Sequence, residues 1–302
     1  LIVFKFPFQA SENYIKRLVG LPTETLRVVS GDVWVKPLDS EEKFTIARKP
    51  PEKITAMMQN VHDSHHRPQT LSKAGWPARW QKSDSSAHGT WSIDEQVVDD
   101  GASKVVRREF TVDESSKSNP AWLRYYHYTP MEQDWSDATD GEFVKPVQRL
   151  ISDFYGYNAV YHLRPPLGSP DEKFGLHWVG DLILEAEVEI EENDGSLLLD
   201  LVEAGRHYQC EIDLSDGTAT LSIVDINGNA ESFSDDDGET VAETVTGKTG
   251  LGRGKHQLRL ANVDNLITLW VDGDVVSFDG PTTYLAPPLR TPDWNANDDG
   301  DL

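Results

Sequence analysis

The sequence predicts a mainly β protein dominated by a β-sandwich with one short helix, and three observations carry that prediction. Residues 181–191 alternate strictly, with Leu182, Leu184, Ala186, Val188 and Ile190 on one side and Glu185, Glu187, Glu189 and Glu191 on the other. That is the period of a strand with one wet face. Short runs of similar character recur through the second half, punctuated by Asn193-Asp194-Gly195, Asp216-Gly217 and Asp272-Gly273, residue types that tight hairpin turns require. Helical periodicity, in contrast, is confined to Ile54, Met57, Met58 and Val61.

At 302 residues with 38% hydrophobic content and nine tryptophans, the chain has room for about two domains with substantial cores. No apolar run reaches the roughly 18 residues of a membrane-spanning helix. The net charge of −23 is unevenly spread: residues 1–180 carry 24 acids and 22 bases, whereas residues 181–302 carry 27 acids and 6 bases. So acidic a second half argues against nucleic acid and against adsorption to anionic lipid, since both need clustered lysine and arginine. The single cysteine, Cys210, excludes an internal disulfide, fits no zinc pattern and falls on the apolar face of an alternating strand, as an inert buried thiol.

From the N-terminus, Leu1 to Phe6 and Tyr14 to Val19 read as strands, the second with Lys16 and Arg17 set among apolar residues, and Gly20-Leu21-Pro22 then turns the chain. A strand lysine is ordinarily a solvated edge charge. Here the order Leu1-Ile2-Val3-Phe4-Lys5-Phe6-Pro7, Tyr14-Ile15-Lys16-Arg17-x-x-Gly20-Leu21-Pro22, then Gly31-Asp32-Val33-x-Val35, resembles the catalytic strands of bacterial type I signal peptidase, the serine/lysine leader peptidase. The resemblance covers about residues 1–37. It implies a dyad in which neutral Lys16 takes the proton of a serine that attacks the scissile carbonyl.

An exposed ammonium, with a pKa of about 10.4, cannot do this at neutral pH, whereas burial against groups such as Ile15 and Leu18 disfavours the charged form. Arg17 does not deprotonate and is assigned a supporting role on the opposite face. By the same resemblance Asn13, Tyr14 and Ile15 lie beside an extended substrate, paired backbone to backbone, and a membrane anchor lies upstream with the catalytic domain on the extracytoplasmic, periplasmic face. Two departures stand out. Neither the family's Ser-Met-x-Pro nor its Gly-Asp-Asn-Ser motif occurs in these residues, so Leu1 is expected to begin a fragment that is inactive by itself. Thr23 occupies the place where the family has glycine, and a turn that avoids positive φ is expected there.

Beyond Val35, a helix is expected over residues 51–62, started by Pro50-Pro51 and packing Ile54, Met57, Met58 and Val61 as one stripe on a sheet. His62, His65 and His66 follow, without the acidic or cysteine partners of a recognisable metal site. The domains are therefore taken as 1–48, a partial catalytic β domain; 49–72, helix and linker; and 73–302, the sandwich, entered through a polar stretch anchored by Trp76 and Trp80. Residues 105–112 and 122–128 read as strands, Met131 to Gly141 as an acidic loop, and the aromatics of residues 150–161 as sheet core or a ligand groove.

In the second half, strands are expected at 196–202, 208–214, 218–224, 256–260, 266–271 and 275–278. The phrase Lys255-His256-Gln257-Leu258-Arg259-Leu260, followed by Leu266 to Trp270 and Val271-Asp272-Gly273, resembles the concanavalin-like and laminin-G-like jelly rolls. The resemblance implies an insertion carried within the peptidase, with a glycan or protein as its ligand. Glu185 and Glu187, two apart on one wet face, are spaced for a glycosidase pair or a solvated strand. The acid-rich residues 291–302 offer oxygen ligands for calcium but lack the distal glutamate of an EF-hand. Signal peptides of exported preproteins are the implied substrate, no cofactor is expected, and the runner-up function is a non-enzymatic binding module.

Overall fold

The computed structural model describes residues 2–16, 18–29, 31–83, 91–99, 101, 104–112, 120–128, 130–142, 146, 148, 150–151, 179–235 and 237–285. The chain divides into two compact units, Leu1–Ile54 and Thr55–Leu302.

In the first unit, β1 (Ile2–Phe6) and β2 (Gln9–Lys16) form an antiparallel hairpin, and β3 (Glu24–Val29), β4 (Asp32–Pro37) and β5 (Thr45–Ile46) form a three-stranded antiparallel sheet. The strand carrying Lys16 thus ends at that residue and starts earlier than the expected Tyr14. Pairing with β1 sets its limits, and Phe6 stacks on Tyr14 with ring centroids 4.5 Å apart. The helix α1 spans only Pro51–Met57. Ile54 is buried, but Met57 and Met58 are exposed, so the expected stripe to Val61 is not used. Ile54 alone docks, and the chain leaves helical geometry before a second turn of the stripe is complete.

The second unit starts with β6 (Arg67–Pro68), α2 (Gln69–Lys73), β7 (Trp80–Lys82), β8 (Ser92–Asp99), β9 (Lys104–Thr111), β10 (Leu123–Tyr125) and α3 (Glu132–Asp140). Strands β6, β9 and β8 form one sheet, β7 pairs with β10, and Leu71, Trp76, Tyr128 and Ala138 form a small core. The helix α3 replaces the expected acidic loop. Its Glu132 and Asp134 sit in the first turn, where the helix dipole favours anions. Asp134 accepts the Met131 amide at 2.6 Å, and Gly141 closes the other end in left-handed geometry at φ 79°.

The sandwich itself is built from β11 (Leu182–Ile190), β12 (Ser196–Glu203), β13 (Arg206–Asp213), β14 (Thr218–Val224), β15 (Ala230–Glu231), β16 (Phe233–Ser234), β17 (Thr240–Ala242), β18 (Thr244–Lys248), β19 (Gly254–Val263), β20 (Leu266–Val271) and β21 (Asp274–Val275). One sheet has the order β11-β19-β20-β21. The other runs β12-β13-β14-β15, with β18 also paired to β14. Their inward faces share one core: Leu199, Tyr208, Cys210, Ile212, Leu221, Ile223 and Val245 from one sheet meet Ile190, Leu258, Leu260, Ile267, Leu269 and Val271 from the other.

The alternation read from Leu182 to Ile190 is the burial pattern of β11. Asn193-Asp194-Gly195, however, carries the chain across to the second sheet instead of closing a hairpin, because β11 pairs with β19. Among the described residues, the two-residue turns Ala204-Gly205, Asp264-Asn265 and Asp272-Gly273 do close hairpins, with positive φ at both residues, the hand that matches strand twist. The expected strand 275–278 shrinks to β21 plus a bridge from Phe278 to Gly247.

Candidate functional site

Alternation and pairing in the β1–β2 hairpin give it two distinct faces. Residues directly opposed across the hairpin share a face, so Phe4 and Tyr14 lie on one side with Ile2 and Lys16, while Val3 and Ile15 lie on the other. Asn13 and Lys16 are exposed and Tyr14 is half-buried, and Ile15 is 64% exposed. Lys16 Nζ lies 5.9 Å from the centre of the Tyr14 ring. The expected cover of Lys16 by Ile15 is therefore absent, for Ile15 projects from the opposite face, and Leu18 is exposed as well. Arg17 lies outside the described residues. The structure thus gathers Asn13, Tyr14, Ile15 and Lys16 on one strand whose outer edge, among the described residues, is not paired in a sheet.

The turn after this strand departs from expectation. Thr23 adopts φ 68°, in the left-handed region that a β-branched residue rarely enters. The reason is the turn itself. Pro22 occupies the preceding corner, the Leu21 amide donates to Glu24 Oε2 at 2.9 Å, and the Thr23 carbonyl must face the Leu38 amide at 2.7 Å. This is the requirement of a turn with positive φ at its second corner, where glycine is at ease.

A second polar constellation lies among β7, β10 and the segment before them. Arg79 Nη1 donates to the Val61 carbonyl and to the Tyr125 hydroxyl, each at 3.0 Å, which leaves the Tyr125 proton for His127 Nδ1 at 3.0 Å. The His62 ring faces Tyr125 at 5.8 Å. Burial, with Arg79 adding to it, pushes His62 down to about 4 and His127 to about 3. His65 and His66 go elsewhere, bonding through backbone and ring respectively to Asp63. The three clustered histidines consequently do not converge on one point.

In the sandwich, the wet face of β11 is taken up by cross-strand ion pairs, Glu185 with Arg259 at 2.5 Å and Glu189 with Lys255 at 3.4 Å. Glu185 is thereby committed to Arg259, while Glu187 is exposed. On the outward face of β12 and β13, His207 Nδ1 meets Asp200 Oδ2 at 2.8 Å, a contact that raises the histidine pKa. Residues 152–161 and the acidic stretch 291–302 lie outside the described residues.

Sequence reasoning missed Glu203. It follows Leu197, Leu199 and Leu201 in phase, so its carboxyl enters the core side of β12, where Asn262 Nδ2 of β19 donates to Oε2 at 3.0 Å. Tyr284 donates to Asn262 Oδ1 at 2.6 Å, and Tyr208 also hydrogen-bonds the carboxyl. Burial first, and the nearby Asp181 charge second, raise Glu203 to about 7. An acid at the fourth position of an otherwise leucine face was the available signal. No family model, curated protein or solved structure was found to match the chain.

Proposed function

We propose that residues 1–48 are part of the catalytic β domain of a type I signal peptidase, a membrane-anchored serine endopeptidase acting on the extracytoplasmic side, and that residues 73–302 are a jelly roll of concanavalin or laminin-G type inserted into it. The observation that carries the reading is the ordered motif Tyr14-Ile15-Lys16-Arg17 before Gly20-Leu21-Pro22, together with the Thr23 corner at φ 68°. That corner calls for the glycine the family places there.

In this reading Lys16 is the general base, Arg17 supports it, and Asn13 to Ile15 offer main-chain bonds along the β2 edge to the signal peptide of an exported preprotein. The attacking serine comes from polypeptide beyond these residues, as does the membrane anchor. Packing of that polypeptide over the face shared by Tyr14 and Lys16 would strip water from the ammonium and favour the neutral, proton-accepting amine. The serine proton passes to Lys16 Nζ as the Ser Oγ–carbonyl bond forms, and Lys16 returns it to the leaving amine.

The test is Lys16→Ala in the full-length native protein, assayed by cleavage of a preprotein in membranes. Loss of processing by at least 10³-fold is expected, on the scale of removing one member of a catalytic dyad, with hairpin hydrogen exchange unchanged. Normal processing, with specific capture of a glycan or protein by the sandwich, would instead favour a non-enzymatic binding module.

A further inference from the structure

The residues around β7 and β10 gather more positive charge than the nearby carboxylates match. Both protons of Arg79 Nη1 are spent inside the protein, on the Val61 carbonyl and the Tyr125 hydroxyl, each at 3.0 Å. These two bonds fix the guanidinium plane. Its remaining donors, on Nε and Nη2, meet no acceptor among the described residues, and no carboxylate there pairs with Arg79. That edge is the fork that matches two oxygens of one oxyanion. Beside it stands His62, next in the chain to the carbonyl that holds Arg79, its ring 5.8 Å from that of Tyr125. The nitrogens of this half-buried ring have no hydrogen-bond partner among the described residues. The charges acting on it are those of Arg79, Arg67 and Asp63. The other ions of this region are provided for. Arg67 of β6 and Arg108 of β9 share the Glu95 carboxylate of β8, and Arg108 also donates to the Trp80 carbonyl at 3.2 Å. Asp63 accepts the His65 amide at 2.8 Å and meets the His66 ring at 2.7 Å. A half-buried cation without a counter-ion is costly, and in a chain of net charge −23 Arg79 is left without one among the described residues.

We propose that Arg79 and His62 form a binding site for a phosphate group, with the Nε–Nη2 edge of Arg79 holding two phosphate oxygens and the His62 imidazole donating to a third. The shape of the anion decides between phosphate and carboxylate. Both oxygens of a carboxylate are used up by the fork, whereas a tetrahedral phosphate keeps a further oxygen for the ring. Charge points the same way. Arg79 and Arg67 disfavour a proton on His62, and a bound dianion reverses that balance, so binding draws a proton onto the imidazole and the second negative charge finds a counterpart. Trp80 and Tyr125, whose rings meet edge to face at 5.4 Å, place apolar surface beside the guanidinium, where an ion pair is screened less than in open water. The site does not depend on the peptidase reading.

The experiment is calorimetric titration of the 302-residue chain with inorganic phosphate at neutral pH and constant ionic strength, with NMR of the labelled His62 and Arg79 side chains to locate the site. Saturable binding is expected below about 10 mM, with shifts at both side chains and a heat that varies with the ionisation heat of the buffer, the mark of proton uptake. Acetate should bind at least about 10-fold more weakly. Arg79→Lys, which keeps the charge and loses the fork, should weaken phosphate on the order of 10-fold. His62→Ala, which removes no hydrogen bond among the described residues, should weaken it about 3- to 10-fold and abolish the proton uptake. Phenyl phosphate separates the sources: tighter binding than inorganic phosphate marks an organic phosphate, and equal or weaker binding marks the free ion. No saturable phosphate binding by the wild-type chain, acetate bound as tightly as phosphate, or undiminished phosphate binding in either variant would each overturn the site.

Discussion

Replacing Thr23 with glycine should stabilise the first unit, against the usual expectation that glycine weakens a fold. Thr23 is held at φ 68° by a turn whose closing bond is the Leu38 amide to the Thr23 carbonyl at 2.7 Å. Left-handed geometry costs an L-residue about 1–2 kcal/mol. Glycine relieves that cost but makes the unfolded chain more flexible, by about 0.4–1 kcal/mol. The Thr23 hydroxyl bonds only the adjacent Pro22 carbonyl, at an exposed site, so its loss adds little. The net gain is about 0.5–1 kcal/mol, or roughly 2- to 5-fold in the local opening equilibrium.

Hydrogen exchange at Leu38 and at the β3–β4 amides reads this directly. Protection should rise in Thr23→Gly and should not rise in Thr23→Ala, which keeps a Cβ in the same left-handed corner. Equal protection in both variants, or a loss in Thr23→Gly, would mean that the corner is unstrained, and one support for the peptidase resemblance would fall with it.

Two further outcomes follow from buried titratable groups. His62 and His127 are neutral when folded, at about 4 and 3, against 6.5 when free. The unfolded chain therefore takes up their protons first, and the stability they carry is complete above pH 6.5 and lost as pH falls toward 4, on the order of 2–5 kcal/mol for both together. Urea denaturation from pH 7 to 4.5 should show this acid limb shallower in His62→Gln, and an unaltered limb would exclude the histidine origin. Burial pushes the Cys210 thiol up to about 12 in a fully covered position, so iodoacetamide labelling at pH 8 should proceed only through global unfolding. Labelling faster than exchange of the slowest core amides would contradict that.

Much of the sandwich was legible because its strands are bounded by turn residues and keep one wet face. Thr218 to Val224 and Leu266 to Val271 match β14 and β20 residue for residue. Strand limits failed where apolarity continued past the pairing, as in Tyr14 to Val19: Leu18 and Val19 are apolar yet lie outside β2, whose pairing with β1 is described only as far as Ile2 opposite Lys16. Partner choice was not legible either. The turn at Asn193 to Gly195 looks like a hairpin from its own residues, and only the distant β19 decides that β11 lies in the other sheet.

For the candidate site, the motif was visible in full, but the exposure of Lys16 was not, because sequence does not say what packs on a strand. Thr23 was misjudged by weighing its own propensity above the hydrogen bonds that set the corner. Glu203 was passed over because the expected strand stops at Val202, one residue short of the observed end of β12.

The β1–β2 hairpin has a further physical consequence for the behaviour of the chain in solution. Val3, Phe8 and Ile15 are 67%, 92% and 64% exposed on a ribbon that, among the described residues, pairs in no larger sheet. Two such ribbons meeting edge to edge would find both unmet main-chain groups and apolar surface, the ingredients of self-association. Against this stands the net charge of −23, which keeps approaching chains apart over a distance set by ionic strength, about 30 Å at 0.01 M and about 8 Å at 0.15 M. The colloidal stability of the isolated chain therefore rests on the acidic residues of its second half, whereas the surface that threatens it belongs to its first 16 residues.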